Sequence, residues 1–123
     1  MALSNPYANY ENTKIQTATP AQLTLMLYDG AIKFCNLAIT AVDNKEIETA
    51  NTNIKKVEAI IAEFRATLNF KYPVAKDFDN VYEYIAGRLL EANLKKDKEI
   101  LAEVLSHLRV MRATWIEVMH NAK

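Results

Sequence analysis

Thr17-Ala18-Thr19-Pro20-Ala21-Gln22-Leu23-Thr24-Leu25-Met26-Leu27-Tyr28-Asp29-Gly30-Ala31 reads as the entry to a long helix, and the fold follows from it. The Thr19 hydroxyl can accept from first-turn amides, Pro20 brings a preset helical φ, and Gln22 completes a capping box. Beyond the cap the chain is more apolar than one buried face requires. At ~100° per residue, Leu23, Leu27, Gly30, Phe34, Leu37, Ala38 and Ala41 line up as a core stripe on a helix from about Pro20 to Val42. Further round lie Ala31, Val42, Cys35, Tyr28, Ile39, Ile32 and Leu25, so the apolar sector spans roughly 260° instead of the ~100° of an ordinary amphipathic helix. A helix of this kind is central in its fold, buries surface on another chain, or does both.

The remaining chain supplies three partners for it. Ile47, Ala50, Ile54, Val57, Ile61, Phe64 and Leu68 alternate spacings of three and four, the seam of near-antiparallel helix packing. Pro73 ends that element by disfavouring helical geometry at Tyr72. A third helix from about Val74 to Leu94 places Phe78, Val81, Tyr82, Ile85, Leu89 and Ala92 on one side, leaving Tyr84, Leu90 and Leu94 outside the stripe. Asp97 is a fitting cap for a fourth helix carrying Leu101, Val104, Leu105, Leu108, Met111, Trp115, Val118 and Met119. Arg112 falls within that stripe, so it must reach the rim or meet a carboxylate. The expected fold is all-α: an antiparallel four-helix bundle over residues 19–123, preceded by a flexible or short-helical N-terminal arm over 1–18. Tyr7, Tyr10 and Ile15 stand out in that polar arm as groups able to lie over an apolar surface and be displaced from it.

Composition narrows the function. Fifteen basic residues balance fifteen acidic ones among 123, leaving no net field to gather nucleic acid. No run reaches the ~18 uninterrupted apolar residues of a membrane span, and the N-terminus lacks the basic and apolar segments of a signal peptide. A cytoplasmic protein without membrane insertion is expected. Cys35, the single cysteine, sits among apolar residues and reads as a small buried thiol.

Catalytic material is thin. The two histidines, His107 and His120, both fall on the fourth helix. Glu117-Val118-Met119-His120 has the Glu-x-x-His spacing of carboxylate-bridged di-iron bundles, but those need a second copy and two further inward glutamates. Cys35 lacks a spaced zinc partner. Gly30 and Gly87 lie inside helical patterns, where they form no phosphate loop and suggest instead the close approach of another backbone. No enzyme, metal site or cofactor is expected.

The pattern resembles the flagellar secretion chaperones of the FliS family over nearly the whole chain. The resemblance rests on Tyr10, on Thr17-Ala18-Thr19-Pro20 with Leu23, and above all on Met26-Leu27-Tyr28-Asp29-Gly30-Ala31-Ile32-Lys33-Phe34. It continues through Asn53-Ile54-Lys55-Lys56, Ile60 to Phe64, Leu68-Asn69, Val81 to Ile85, Leu89, Ala92-Asn93, Asp97 and Leu108-Arg109 to Trp115. Phe70-Lys71-Tyr72-Pro73 departs from the glycine-containing turn often seen there. The resemblance implies a bundle whose apolar grooves hold the disordered C-terminal segment of flagellin, prevent its premature polymerisation and deliver it to the flagellar type III export apparatus. On that reading Leu25, Tyr28, Ile32, Cys35 and Ile39 contribute the client groove, and Tyr7, Tyr10 and Ile15 form a lid over it. The alternative is a self-associating bundle whose surplus sector makes a weak homodimer.

Overall fold

The structure, a computed structural model, describes residues 17–121. Four helices follow one another: α1 (Pro20–Asp43), α2 (Ile47–Thr67), α3 (Val74–Lys95) and α4 (Lys98–Asn121). The expected all-α four-helix bundle is what forms. Each helix begins or ends where local chemistry dictates. Thr19 accepts from the Gln22 amide at 3.1 Å while the Gln22 side chain accepts from the Thr19 amide at 2.9 Å, which closes the capping box. Asp97 accepts from the Glu99 and Ile100 amides at 2.9 and 3.3 Å, satisfying orphan donors at the start of α4. Lys45 (φ 61°) and Lys96 (φ 49°) turn the chain at the ends of α1 and α3 in left-handed geometry, and Lys96 anchors its Nζ on the Asn93 carbonyl at 2.7 Å.

The helices form a ring in which α1 packs on α2 and α4, and α3 packs on the same two. Pairs along each interface fix the directions. The Trp115 indole N–H, late in α4, donates to the Ala21 carbonyl at the start of α1 (3.1 Å), while Lys98 at the start of α4 meets Asp43 at the end of α1 (2.6 Å). Arg65 near the end of α2 meets Asp79 near the start of α3 at 2.8 Å, and Asn93 donates to Asn51 at the opposite ends. Neighbouring helices therefore run antiparallel. Arg112 finds the carboxylate it requires, bonding to Asp29 across the α1–α4 interface at 2.5 Å.

The core comprises Tyr28, Ala31, Cys35 and Ala38 of α1, Ile54, Val57, Ile61 and Phe64 of α2, Tyr82, Ile85, Leu89 and Ala92 of α3, and Ile100 to Met111 positions of α4. The stripes expected for α2, α3 and α4 supply most of it. On α1 the expectation is corrected. Its buried axis runs through Tyr28, Ala31, Cys35 and Ala38, whereas Leu23 and Leu37 are exposed and Leu27, Gly30 and Phe34 half-buried. A sector so broad does not say which part of it faces inward; its two neighbours decide. Alanines and a cysteine line the buried axis, so α1 can sit close to the centre, and the bulkier Leu23, Leu27, Phe34 and Leu37 are pushed to its flank. By length and composition α1 is apolar enough to cross a membrane; in the bundle its Tyr28, Ala31, Cys35, Ala38 and Ala41 are buried.

The two glycines also depart from expectation. A Cβ on Gly30 would meet the Ile60 Cδ1 at 3.6 Å and the Phe34 Cε2 at 3.9 Å, ordinary side-chain contacts, and one on Gly87 would meet nothing within 4 Å. Neither marks the close approach of another backbone within the bundle.

Candidate interaction surface

Antiparallel order brings the start of α1, the end of α2, the start of α3 and the end of α4 to one end of the bundle. Aromatic and aliphatic side chains fall there on all four helices, more than the core absorbs. Two adjoining clefts result. One, of about 420 Å³, is lined chiefly by Phe64, Leu68, Tyr72, Phe78, Tyr82 and Trp115. The other, of about 600 Å³, lies between α1 and α2 on Pro20, Leu23, Met26, Leu27, Glu63 and Thr67. Thr24, Phe64 and Thr67 belong to both, so the clefts flank the beginning of α1 as one apolar mouth. The chain enters α1 at Pro20, on the rim of this mouth.

Beyond the second cleft, the shallow furrow that two packed helices leave between them runs on along α1 and α2. Gly30, Phe34 and Ile60 meet on its floor, and Leu37, 44% exposed, extends the apolar strip. The α3–α4 side is polar by contrast. Glu103 accepts from Tyr84 at 2.6 Å and from Arg88 at 2.9 Å and lies 3.2 Å from the His107 Nε2. The Tyr84, Arg88 and His107 hydrogen bonds, in that order, hold the Glu103 carboxyl down at about 2. His107 is thus a neighbour in a structural ion-pair network that ties α3 to α4.

Beneath the mouth a polar contact in the core joins diagonal helices. The Tyr28 and Tyr82 hydroxyls are hydrogen-bonded, and the Phe64 ring packs against both rings at centroid distances of 4.4 and 5.3 Å. Burial, then the bond to Tyr82, pushes the Tyr28 phenol well above its ordinary range.

The residues expected to make the groove divide. Tyr28 is 1% and Cys35 0% exposed, so both belong to the core, and the expectation that they offer surface is corrected. Tyr28 turns inward because Tyr82 satisfies its hydroxyl; Cys35 does so because its thiol is small and donates to the Leu101 carbonyl at 3.4 Å. Leu25, Ile32 and Ile39 are half-buried, on the side of α1 that carries Ala21 and Asp29 and therefore faces α4. The proposed lid residues Tyr7, Tyr10 and Ile15 lie outside the described residues. Phe64, Phe78 and Trp115 fit core stripes in the sequence and also line the mouth. Their positions near matching ends of antiparallel helices were a signal for it.

Among the described residues no group of three His, Cys, Asp or Glu side chains is placed to hold a metal ion. His120 is exposed in the last turn of α4. The chemistry available to this surface is apolar contact bordered by charge. A model of the family described as flagellar protein FliS matches residues 3–122. The chain belongs to the FliS family. It is 38% identical over 123 residues to the flagellar secretion chaperone FliS of Bacillus subtilis, covering all of this chain and 92% of that one. The protein of the same name from Campylobacter jejuni is 29% identical over 117 residues, 94% of this chain and 91% of its own length. The one from Salmonella typhimurium is 27% identical over 111 residues, 88% of this chain and 82% of its own. FliS relatives so diverged still match over 88% or more of this chain.

Proposed function

We propose that this chain is a non-enzymatic, cytoplasmic flagellar secretion chaperone that binds the disordered C-terminal segment of flagellin, prevents its premature polymerisation and delivers it to the flagellar export apparatus. The observation that carries this reading is the apolar mouth around the start of α1, which stays open after the four helices have satisfied one another. A disordered apolar segment can fold as a helix against such a surface and keep its own assembly face covered. Membership of a family whose relatives are named flagellar secretion chaperones supports the assignment. The half-buried Leu25, Ile32 and Ile39 belong to the client site, along the α1–α4 edge. The arm's Tyr7, Tyr10 and Ile15 act as the lid, since the chain enters the bundle at Pro20, on the wall of the mouth.

The test compares full-length flagellin with flagellin lacking its C-terminal tail, titrated against the chaperone by calorimetry. Tight binding that vanishes with the tail is the expected result. Equal binding of both would overturn the tail as client, and no binding of either would overturn the chaperone reading. Sedimentation of the chaperone alone, giving a salt-stable dimer indifferent to flagellin, would favour the self-associating alternative.

A further inference from the structure

The groove between α1 and α2 is bordered by two cations that form no ion pair with a carboxylate among the described residues. Lys33 of α1 and Lys56 of α2 hold their ammonium groups over the Phe34 ring, 5.9 and 5.0 Å from its centroid. Among the described residues these cation–π contacts are the interactions either ammonium makes. Arg65, Arg88, Lys95, Lys98 and Arg112, by contrast, each meet a carboxylate. Two like charges gathered about one ring repel each other, and a carboxylate placed near both would turn that repulsion into two attractions. The ring also restrains the two flexible stems, so less ordering remains to be done when an anion arrives.

The floor beneath them is apolar, built from Gly30, Phe34 and Ile60, and runs into the cleft of Leu23, Met26 and Leu27. At that far end the wall carries Glu63, which would repel an acidic group. The groove therefore has a polarity: it accepts carboxylates at Phe34 and disfavours them at the cleft.

We propose that the occupant of this groove is an amphipathic helical segment of the export client, with carboxylates along the edge that passes Lys33 and Lys56. The proposal rests on the chaperone reading above and adds the charge of the client face and its direction along the groove.

A matched pair of synthetic amphipathic helices tests it, sharing one leucine stripe, one edged by glutamates and the other by lysines, alongside a peptide of flagellin's C-terminal tail. Fluorescence anisotropy is followed at low and high salt with wild-type protein, with a Lys33→Glu/Lys56→Glu variant and with Lys55→Glu, an exposed neighbour on α2, as control. The glutamate helix should bind roughly tenfold more tightly than its twin at low salt, with the preference shrinking at high salt. The double reversal should invert that preference and weaken the flagellin tail by roughly tenfold, while Lys55→Glu does neither. Equal binding of the twins, or a flagellin tail that binds but ignores the double reversal and salt, would overturn the proposal and leave the chaperone reading standing. A tail that fails to bind wild-type protein would instead overturn the chaperone reading and, with it, the client named here. Unchanged circular dichroism of the variants establishes that charge, not folding, has been altered.

Discussion

The Tyr28 hydroxyl bonds the Tyr82 hydroxyl across the diagonal of the bundle, joining α1 to α3, two helices that otherwise meet through their shared neighbours. Phe64 of α2 packs against both rings, and Phe78 tilts against Tyr82 at 6.3 Å. This aromatic group closes the core under the apolar mouth. Phe64 and Tyr82 belong to the core and to the wall of the cleft at once, so the buried hydroxyl pair lies directly behind that wall.

Removing one hydroxyl of that pair strands the other in a buried site, at a cost of about 1–3 kcal/mol, whereas removing both leaves no orphan. Tyr28→Phe and Tyr82→Phe should each lower the urea midpoint, and the double variant should recover much of the loss. Urea denaturation of the four proteins gives the coupling energy. Strictly additive losses would show that the two hydroxyls do not depend on each other.

Cys35 should be silent in the folded protein. Burial pushes its thiol up to about 12, so roughly one molecule in ten thousand carries a thiolate at pH 8, and the side chain has no exposed surface. Native protein should react with a thiol reagent at the rate of unfolding, and unfolded protein at once. Rapid labelling of the free protein, with protection by flagellin, would place Cys35 in the client groove instead of the core.

How much could be read in the sequence depended on how sharply each pattern specified a face. On α2 the unbroken spacing from Ala50 to Phe64 allows one buried side, and that side is buried. The caps at Thr19 and Asp97 were legible because each side chain acts on amides a few residues away. On α1 the apolar residues encircle most of the cylinder, so periodicity could not tell the axis of Tyr28, Ala31 and Cys35 from the flank of Leu27 and Phe34. Contacts with α2 and α4, set by chain regions far away in sequence, made that choice. The mouth was hidden for a related reason. Phe64, Phe78 and Trp115 each satisfy a core pattern singly, and their convergence into a cleft shows when four helix ends are assembled together.

The Glu103 cluster predicts a pH dependence with a definite sign. Hydrogen bonds from Tyr84, Arg88 and His107 depress this carboxyl to about 2 from its ordinary 4.5, so the folded state favours its ionised form. The stabilisation is fully present above about pH 4.5 and is lost as pH falls from there through about 2. Glu103→Gln removes the titrating group. The difference in urea midpoint between wild type and Glu103→Gln, open at pH 6, should close as pH is lowered from 5 towards 2.5. A difference that stays constant over that interval would mean that the carboxyl's charge adds nothing to the tie between α3 and α4.

Gly30 and Gly87 separate stability from binding. Both sit inside helices, where alanine is favoured over glycine by about 1 kcal/mol, and neither has positive φ. A methyl at Gly87 meets open space, so Gly87→Ala should raise the melting temperature and leave flagellin binding unchanged. A methyl at Gly30 makes ordinary contacts with Ile60 and Phe34, so Gly30→Ala should also stabilise. Its Cβ, however, occupies the floor of the α1–α2 groove, and Gly30→Leu would fill that floor between Lys33 and Lys56. The leucine variant should bind the client roughly tenfold more weakly, about 1.4 kcal/mol, while remaining folded. Calorimetric titration beside thermal melts of the three variants gives both quantities. Unimpaired binding by a folded Gly30→Leu protein would move the client off this groove and onto the α3–α4 side of the mouth, where Phe78 and Trp115 form the wall.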